Sequence, residues 1–222
     1  MSEEKKLSPC GAVAPEVARK QKFAWWLMSA GWVLGVVVPY QIIWEPLLAG
    51  VAFWTLRKVA SNQVVKDICK WLIWVQGVLF ALMLVVSLMW IELGTGDIIA
   101  LDLVVAALWG ANVLCYSALA RSKSLGEKSL SWLNVIATLL IARAVSMAFG
   151  YINFYEAYSV FNIAWAVILV IAWKNLIGGE AFAGEGAVIT EVTTKEAFKV
   201  VNRYTVLCLV GIVVSALVIL FE

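Results

Sequence analysis

The sequence predicts an all-α protein, a polytopic transmembrane helical bundle of about seven spans with a cytoplasmic N-terminus and an external C-terminus. Three observations predict this class. The 222 residues are 63% hydrophobic and 14% charged, with a mean hydropathy of +0.91, whereas soluble domains are about half apolar and a quarter charged. Seven apolar runs follow one another along the chain, and the basic residues collect in alternate loops between them.

Each apolar run predicts one span, because about 20 apolar residues cross a hydrocarbon core of about 30 Å. A polar cytoplasmic tail over residues 1–22, expected to be helical from Pro15, comes before a single transmembrane domain over residues 23–222. The predicted spans are residues 23–40, 42–57, 69–91, 98–120, 130–150, 157–173 and 204–221.

Residues 23–57 allow three interpretations: one long kinked helix, a re-entrant loop, or a hairpin of two spans. Charge favours the hairpin, because it places 16 of the 17 Lys and Arg residues on one side of the membrane. The loops on the other side then hold acidic residues and no basic ones: Glu45, Glu92, Asp97 and Glu156. Basic residues prefer the cytoplasmic side, so seven spans with the N-terminus inside are predicted.

Most of the 12 tryptophans fall near the predicted ends of spans, where an indole ring favours the membrane interface. The inner interface is predicted to hold Trp25, Trp26, Trp54, Trp71, Trp74, Trp132 and Trp173, and the outer one Trp44 and Trp90. Three tryptophans lie deep in spans and are expected to pack helices together or to line a ligand pocket: Trp32, Trp109 and Trp165.

After span six, residues 178–186 are rich in glycine and predict a flexible connector. Thr193 and Glu196 then fit a capping box, in which the two side chains satisfy each other's backbone donors. A helix is therefore expected from about residue 194 into the last span. Its cytoplasmic part is expected to lie at the membrane interface or to dock a partner.

The absence of histidine excludes several kinds of site. Bis-histidine haem ligation, histidine zinc and di-iron sites, and Ser-His or Cys-His nucleophile pairs all need an imidazole. The four cysteines form no CxxC pair, so neither a redox motif nor a zinc knuckle is indicated. We therefore predict no cofactor, metal, nucleic-acid partner or catalytic residue, and the sequence argues against an enzyme without excluding one.

Arg143 is the one basic residue that lies inside a span, about seven residues from the outer end of span five. A charge at that depth is costly unless it is paired or hydrated, so such residues mark candidate sites. The candidate partners are the acidic residues at the outer ends of spans: Glu45, Glu92, Asp102 and Glu156. Asp102, about one turn into span four from the outer side, is the favoured partner because its depth is similar. Ala106 and Gly110 on the Asp102 face would let spans four and five approach closely.

Three interpretations of Arg143 remain open. It forms a structural ion pair with Asp102, it binds an anionic or carboxylate ligand in an outward-facing polar pocket, or it points to the outer surface or a partner subunit. In the second, Asp102 or Glu156 is the counter-ion or proton acceptor, so the predicted ligand-binding residues are Arg143, Asp102 and Glu156. Other polar residues within spans are expected to form interhelical hydrogen bonds: Gln76, Asn112, Asn134, Asn153 and Asn162.

These features favour a small-solute or ion transporter, or a channel-like protein, in the inner or plasma membrane of a cell. The alternative is a non-catalytic subunit or assembly factor of a larger membrane protein complex, and an intramembrane enzyme that acts on lipid is a third hypothesis. The expected partners are the lipid bilayer, a homo-oligomer or partner membrane subunits, and a small anionic ligand. Gly31 and Gly35 have the GxxxG spacing that permits close packing of helices.

Overall fold

The computed structural model describes residues 13–37, 43–89, 95–148, 155–185 and 187. Within these ranges the chain forms six α-helices and no β-strand, so the predicted all-α class is confirmed there. The helices are α1 (Pro15–Val37), α2 (Trp44–Arg57), α3 (Gln63–Met89), α4 (Thr95–Arg121), α5 (Glu127–Ala148) and α6 (Tyr155–Ile177), followed by a 3-10 turn (Glu180–Phe182). Side chains lie outside the description at residues 35–37, 86–89, 95–103, 106, 142–148, 155–162 and 165.

The six helices form a closed ring in sequence order. Each helix packs against the next one, and α6 returns to pack against α1. Helices are present at the first six apolar runs of the sequence. The last run, residues 204–221, and the capping box at Thr193 and Glu196 lie outside the described residues.

Residues 23–57 fold as two helices that lie side by side, in agreement with a hairpin and not with one long helix. α1 begins at Pro15, where proline is well tolerated because the first helical N–H has no partner within the helix. A Cβ atom at Gly31 would lie 3.4 Å from Glu45 Cα and 3.5 Å from Leu48 Cβ. The close approach that this glycine permits is therefore used between α1 and α2 of the same chain.

One end of the ring, which we call the basic end, collects the starts of α1, α3 and α5 and the ends of α2, α4 and α6. The loops there are hydrogen-bonded to one another. Ser61 N–H donates to Ala181 O at 2.8 Å, and Asn62 Nδ2 donates to Ser124 Oγ at 2.7 Å. Of the 12 Lys and Arg residues in the described ranges, 11 lie at this end or within two turns of it, and the exception is Arg143.

The prediction of a flexible connector over residues 178–186 is wrong for the part that the structure describes. Ala181 and Phe182 are 0% and 1% exposed, because the turn folds under the ring and buries both side chains against it. Gly184 N–H donates to Val59 O at 3.0 Å, and Gln21 Nε2 donates to Phe182 O at 3.0 Å. The glycine content of the segment predicts flexibility, but the buried side chains of Ala181 and Phe182 hold the turn in place.

Large apolar side chains cover the outside of the ring. Trp26, Trp54, Trp71 and Trp74 are each more than half exposed, as are Leu114, Ile163 and Val167. Among the described residues one helix segment, Gln63–Val85, is long and apolar enough to cross a membrane, with a mean hydropathy of 2.0, and 28% of its most apolar window is buried. The ring therefore exposes apolar patches of the kind that mark contact surfaces for other proteins or for a membrane.

Trp173 departs from the predicted interfacial belt, because it is 2% exposed. Its ring packs edge-on against Phe53, with centroids 5.7 Å apart, and against Tyr116, with centroids 5.9 Å apart. Proximity to the basic end suggested an interfacial position, but the side chain points to the axis of the ring rather than to its outside.

Candidate functional site: an axial cavity

A narrow cavity lies on the axis of the ring, and all six helices contribute to its wall. The lining residues are Met28 and Trp32 from α1, Glu45, Ala49 and Phe53 from α2, Gln76 from α3, Trp109, Asn112 and Tyr116 from α4, Leu140 from α5, and Trp173 from α6. The space open to the centre of a water molecule is about 20 Å³, which is room for one or two waters.

A buried amide pair forms part of the wall. Gln76 Nε2 donates to Asn112 Oδ1 at 3.0 Å, and Asn112 Nδ2 donates to Leu108 O of its own helix at 3.4 Å. Gln76 is 8% exposed and Asn112 is 1% exposed. The predicted interhelical hydrogen bonding of these two residues is therefore confirmed, and it joins α3 to α4.

Glu45 is an acidic residue in the wall of the cavity, and it is 7% exposed. α2 has 14 residues, so its first turn starts well inside the ring rather than at the end opposite to the basic end. Glu45 lies twelve residues before Arg57, roughly 18 Å from the basic end at 1.5 Å per residue. Its predicted place in an outer loop is therefore wrong. A carboxylate in the first turn of a helix is favoured by the helix dipole.

Aromatic side chains close the cavity toward the basic end. Phe53, Tyr116 and Trp173 form the edge-on cluster described above, four or five residues before the ends of their helices. The buried Trp173 Nε1–H has no hydrogen-bond partner among the described residues. A donor that is buried in this way is costly unless an acceptor reaches it, so the cavity wall presents a hydrogen-bond donor at its inner limit.

The 3-10 turn (Glu180–Phe182) forms a second layer at the basic end. Hydrogen bonds to the Glu180 carboxylate hold the turn against the ring. Glu180 Oε2 accepts from Ser129 Oγ at 2.8 Å and from Gly126 N–H at 3.2 Å. Partial burial raises the pKa of Glu180, but hydrogen bonds from its own backbone, Ser129 and Gly126 outweigh that effect, so the pKa lies below its ordinary value. An ion pair between Lys66 and Glu185 also joins the turn to α3.

Two of the three predicted ligand-binding residues lie on neighbouring helices at similar depth. Asp102 lies nineteen residues before the end of α4 at Arg121, and Arg143 lies sixteen residues after the start of α5 at Glu127. At 1.5 Å per residue their depths differ by roughly 4.5 Å. The Asp102 and Arg143 side chains lie outside the described residues, so their pairing stays a prediction.

The helical period relates these two positions to the cavity. Asp102 precedes Trp109 by seven residues, and Trp109 lines the cavity. Arg143 follows Leu140, which also lines the cavity, by three residues. Residues that are three, four or seven apart share one face of a helix, so both positions continue cavity-lining faces away from the basic end.

Glu156 has a different register. It lies in the first turn of α6, and its side chain is outside the described residues. Ile163 and Val167, seven and eleven residues further along, are each 54% exposed on the outside of the ring. Helical periodicity therefore favours Glu156 less than Asp102 as a partner for Arg143.

The cavity shows what the sequence alone could and could not reveal. Trp32 and Trp109 were expected either to pack helices or to line a pocket, and both line the cavity. Glu45 is a candidate partner of Arg143 in the sequence analysis but not one of the predicted ligand-binding residues, although an acid at the start of an unusually short apolar run was a usable signal. No three His, Cys, Asp or Glu side chains in the described part of the chain are grouped as metal ligands.

The comparisons with known proteins give no match. No protein-family model, curated protein or solved structure matches the chain.

Proposed function

We propose that the chain is an integral membrane protein of about seven spans in the inner or plasma membrane, with its N-terminus in the cytoplasm and its C-terminus outside. The distribution of residues in the ring supports this. Apolar side chains such as Trp71 and Leu114 face outward, whereas Glu45, Gln76 and Asn112 face the axis. Lipid favours that arrangement, since polar groups within a membrane protein face the bundle interior or a water-filled cavity.

The distribution of charge supports the orientation. The basic end holds 11 of the 12 described Lys and Arg residues, as the cytoplasmic side of a membrane protein should. Lys58 Nζ lies 3.3 Å from the centroid of the exposed Trp54 ring at this end. An aromatic ring beside a cation is the pairing expected at the headgroup level of a bilayer.

Within this setting the protein acts as a small-solute or ion transporter, or as a channel-like protein, with an outward-facing polar site. One observation carries this proposal: a cavity with Glu45, Gln76 and Asn112 in its wall lies on the axis of a closed ring, and all six described helices line it. Two layers close the cavity at the basic end, namely the aromatic cluster around Trp173 and the turn around Phe182. Arg143 and Asp102 continue the lining faces toward the other end and are candidates for the first contact with a ligand.

The alternative is a non-catalytic subunit or assembly factor of a larger membrane complex. α3 exposes an apolar stripe of period seven, formed by Val64, Trp71, Val78 and Val85. Such a stripe suits a partner helix as well as it suits lipid. Native mass spectrometry after gentle extraction separates the two, because a subunit would carry other chains in fixed stoichiometry.

Outward access to the cavity is tested by cysteine labelling. In a variant whose four cysteines are replaced by alanine, Ala49→Cys places a thiol in the cavity wall. Silver ion, a thiol reagent that is about as small as a water molecule and therefore fits a space of about 20 Å³, should modify it when added outside intact cells. Leu56→Cys, one residue before the end of α2 and 0% exposed, is the matched control and should stay unmodified. Modification of Ala49→Cys from the cytoplasmic side alone, or from neither side, would contradict the outward-facing site.

Transport itself is tested on proteoliposomes adsorbed to a solid-supported membrane. Gradients of candidate ions and solutes should produce currents or uptake with the wild type, and Asn112→Leu should reduce them because it removes an amide from the pathway. Equal currents or uptake in protein-free liposomes would contradict the proposed transport function.

A further inference from the structure

Lysine and tryptophan recur as pairs on the helices of the ring. On four helices a lysine stands four residues from a tryptophan, and in each pair the lysine is nearer the basic end. The pairs are Lys22 and Trp26 on α1, Trp54 and Lys58 at the end of α2, Lys70 and Trp74 on α3, and Lys128 and Trp132 on α5. Residues four apart share one face of a helix. The order along the chain reverses on α2, which runs the other way, so the pattern follows the axis of the ring.

The pairs face the outside of the ring. All four lysines are exposed, and Trp26, Trp54 and Trp74 are 57%, 53% and 63% exposed. Lys58 Nζ lies 3.3 Å from the centroid of the Trp54 ring, so this ammonium is held at the outer surface. The pairs are therefore in reach of whatever surrounds the protein.

The spacing within each pair matches the interface of a bilayer. Four residues of helix rise by roughly 6 Å, and the headgroup region on each side of the hydrocarbon core is roughly 5–8 Å thick. With lysine at the headgroups, the indole reaches the acyl boundary, where tryptophan is favoured. The faces then continue into exposed valines, Val51 on α2 and Val78 on α3. Each face thus runs from basic to aromatic to aliphatic away from the basic end.

The pairs on α2 and α3 lie side by side. α2 packs against α3, and a Cβ atom at Gly50 would lie 3.6 Å from Gln76 Cβ, so these positions have a similar depth in the ring. Lys58 is eight residues from Gly50 toward the basic end, and Lys70 is six residues from Gln76 in that direction. The two lysines therefore differ in depth by roughly 3 Å, as do the tryptophans of the two pairs.

The charge of the basic end calls for a negative partner. Its eleven Lys and Arg residues outnumber the acidic residues described there, which are Glu16, Asp67, Glu127, Glu180 and Glu185. The ion pairs at this end use Lys20 and Lys66. Among the described residues, none forms an ion pair with the lysine of a lysine–tryptophan pair.

We propose that the outer face of α2 and α3 at the basic end binds an anionic phospholipid. Lys58 and Lys70 hold its phosphate, and Trp54 and Trp74 lie at the level of its glycerol esters and the start of its acyl chains. An acidic soluble partner would match the lysines but would leave the indoles and valines beyond them in water. This site rests on the proposed membrane location and deepens it, because it names the class of lipid that the cytoplasmic side selects.

The test is native mass spectrometry of the purified full chain in non-ionic detergent, titrated with phosphatidylglycerol or with phosphatidylcholine of the same acyl chains. The first phosphatidylglycerol should bind about tenfold more tightly than the first phosphatidylcholine, or better. Lys58→Gln and Lys70→Gln should each weaken phosphatidylglycerol binding by about fivefold and leave phosphatidylcholine binding unchanged, because one cation near an anionic lipid contributes about that factor. Lys58→Met and Lys70→Met, which keep the length of the side chain, replace any glutamine variant that does not fold.

Lys123→Gln is the matched control. It removes an exposed lysine at the same end that has no tryptophan four residues away, so it should change phosphatidylglycerol binding by less than about twofold. A loss as large as that of Lys58→Gln would overturn the proposal, since the charge of the whole end would then act without a defined site. Equal binding of the two lipids by the wild type would also overturn it.

Two other occupants of this face would show in the same experiment. Displacement of the lipid by soluble glycerol phosphate at millimolar concentration would make the face a site for a free phosphate ester and overturn the lipid assignment. A second protein chain that is bound to the wild type and lost when Lys58 and Lys70 are both replaced would overturn it in favour of a protein partner.

Alkaline carbonate extraction of cell membranes tests the membrane location separately. A chain that stays in the membrane pellet but shows no preference for phosphatidylglycerol contradicts the lipid site alone. A chain that is released into the supernatant contradicts the proposed membrane location and, with it, the site.

Discussion

Gln76 and Asn112 form a hydrogen bond of 3.0 Å between α3 and α4, at a place where both side chains are almost fully buried. The two residues are 36 positions apart, so the bond fixes how these helices are rotated relative to each other. Both also line the axial cavity. The same pair therefore stabilises the ring and supplies the polar character of its interior.

Loss of one member of this pair should destabilise the protein more than loss of both. Asn112→Leu leaves the buried Gln76 amide without its acceptor and should cost about 1–2 kcal/mol. In the double variant with Gln76→Leu, the total should be smaller than the sum of the single losses. The stability losses of the two single variants and of the double variant are measured by unfolding in mixed micelles with increasing SDS. Asn134→Leu, at a partly buried position of α5, is the control and should have a smaller effect. Strict additivity of the two single losses in the double variant would contradict the coupling.

Gly179 should not tolerate a side chain. A Cβ atom there would lie 2.1 Å from Ser129 Oγ and 3.1 Å from Leu176 O, so Gly179→Ala must displace the turn from the ring. We expect a loss of about 1–3 kcal/mol in the free energy of unfolding, the usual cost of overpacking. Gly77→Ala is the matched control, because no atom lies within 4 Å of the added methyl group. It should be neutral or stabilising by up to about 1 kcal/mol, since alanine favours a helix.

Because of the Glu180 carboxylate, the free energy of unfolding should depend on pH in the acidic range. Its pKa in the folded protein is lowered from the ordinary value of 4.5, because hydrogen bonds to it outweigh the effect of burial. The stabilisation that Glu180 contributes is therefore fully present above the pKa of the unfolded state. It is lost as the pH falls through the lower pKa of the folded state. The lowered pKa values of Glu16 and Glu185, each paired with a lysine, act in the same direction.

Ser129→Ala isolates the contribution of Glu180. It removes one donor to the carboxylate, so the midpoint temperature at pH 7 should fall by roughly 2–4 °C, the shift expected for about 1 kcal/mol in a chain of this size. The difference from the wild type should shrink as the pH falls below 4.5. Ser131→Ala, whose hydroxyl donates to the Glu127 carbonyl of its own helix, should show a difference that does not vary with pH.

Sequence reasoning located the helices well because apolar runs and alternating charge define where a helix lies and which way it points. It placed Trp173 and Glu45 wrongly because it did not fix how each helix is rotated or how deep α2 begins. In a soluble bundle the apolar stripe identifies the buried face. Here the outward face is apolar too, as Trp71 and Leu114 show, so the apolar pattern carries little information on rotation.

Polar residues within the apolar runs indicate how a helix is rotated, which the apolar residues do not. Gln76 and Asn112 were expected to bond between helices because an amide in a span needs a partner, and that expectation holds. The docked turn at Phe182 had no comparable signal, since its anchor is two apolar residues in a glycine-rich segment. Tertiary contacts decide the structure of such a segment, and composition alone does not.

Arg143 offers the sharpest test of the proposed outward-facing ligand site. If Arg143 binds ligand, Arg143→Lys should fold normally and reduce flux by about tenfold or more, because an ammonium lacks the bidentate geometry of the guanidinium. If Arg143 instead forms a structural ion pair with Asp102, the single change Asp102→Leu should lower stability, because it leaves a buried charge without its partner. The double change to leucine should then restore stability, with flux kept. Stability is measured by SDS unfolding and flux in proteoliposomes, on the same three variants, and together they separate the two roles. A stable double variant with normal flux would show that Arg143 does not bind the ligand.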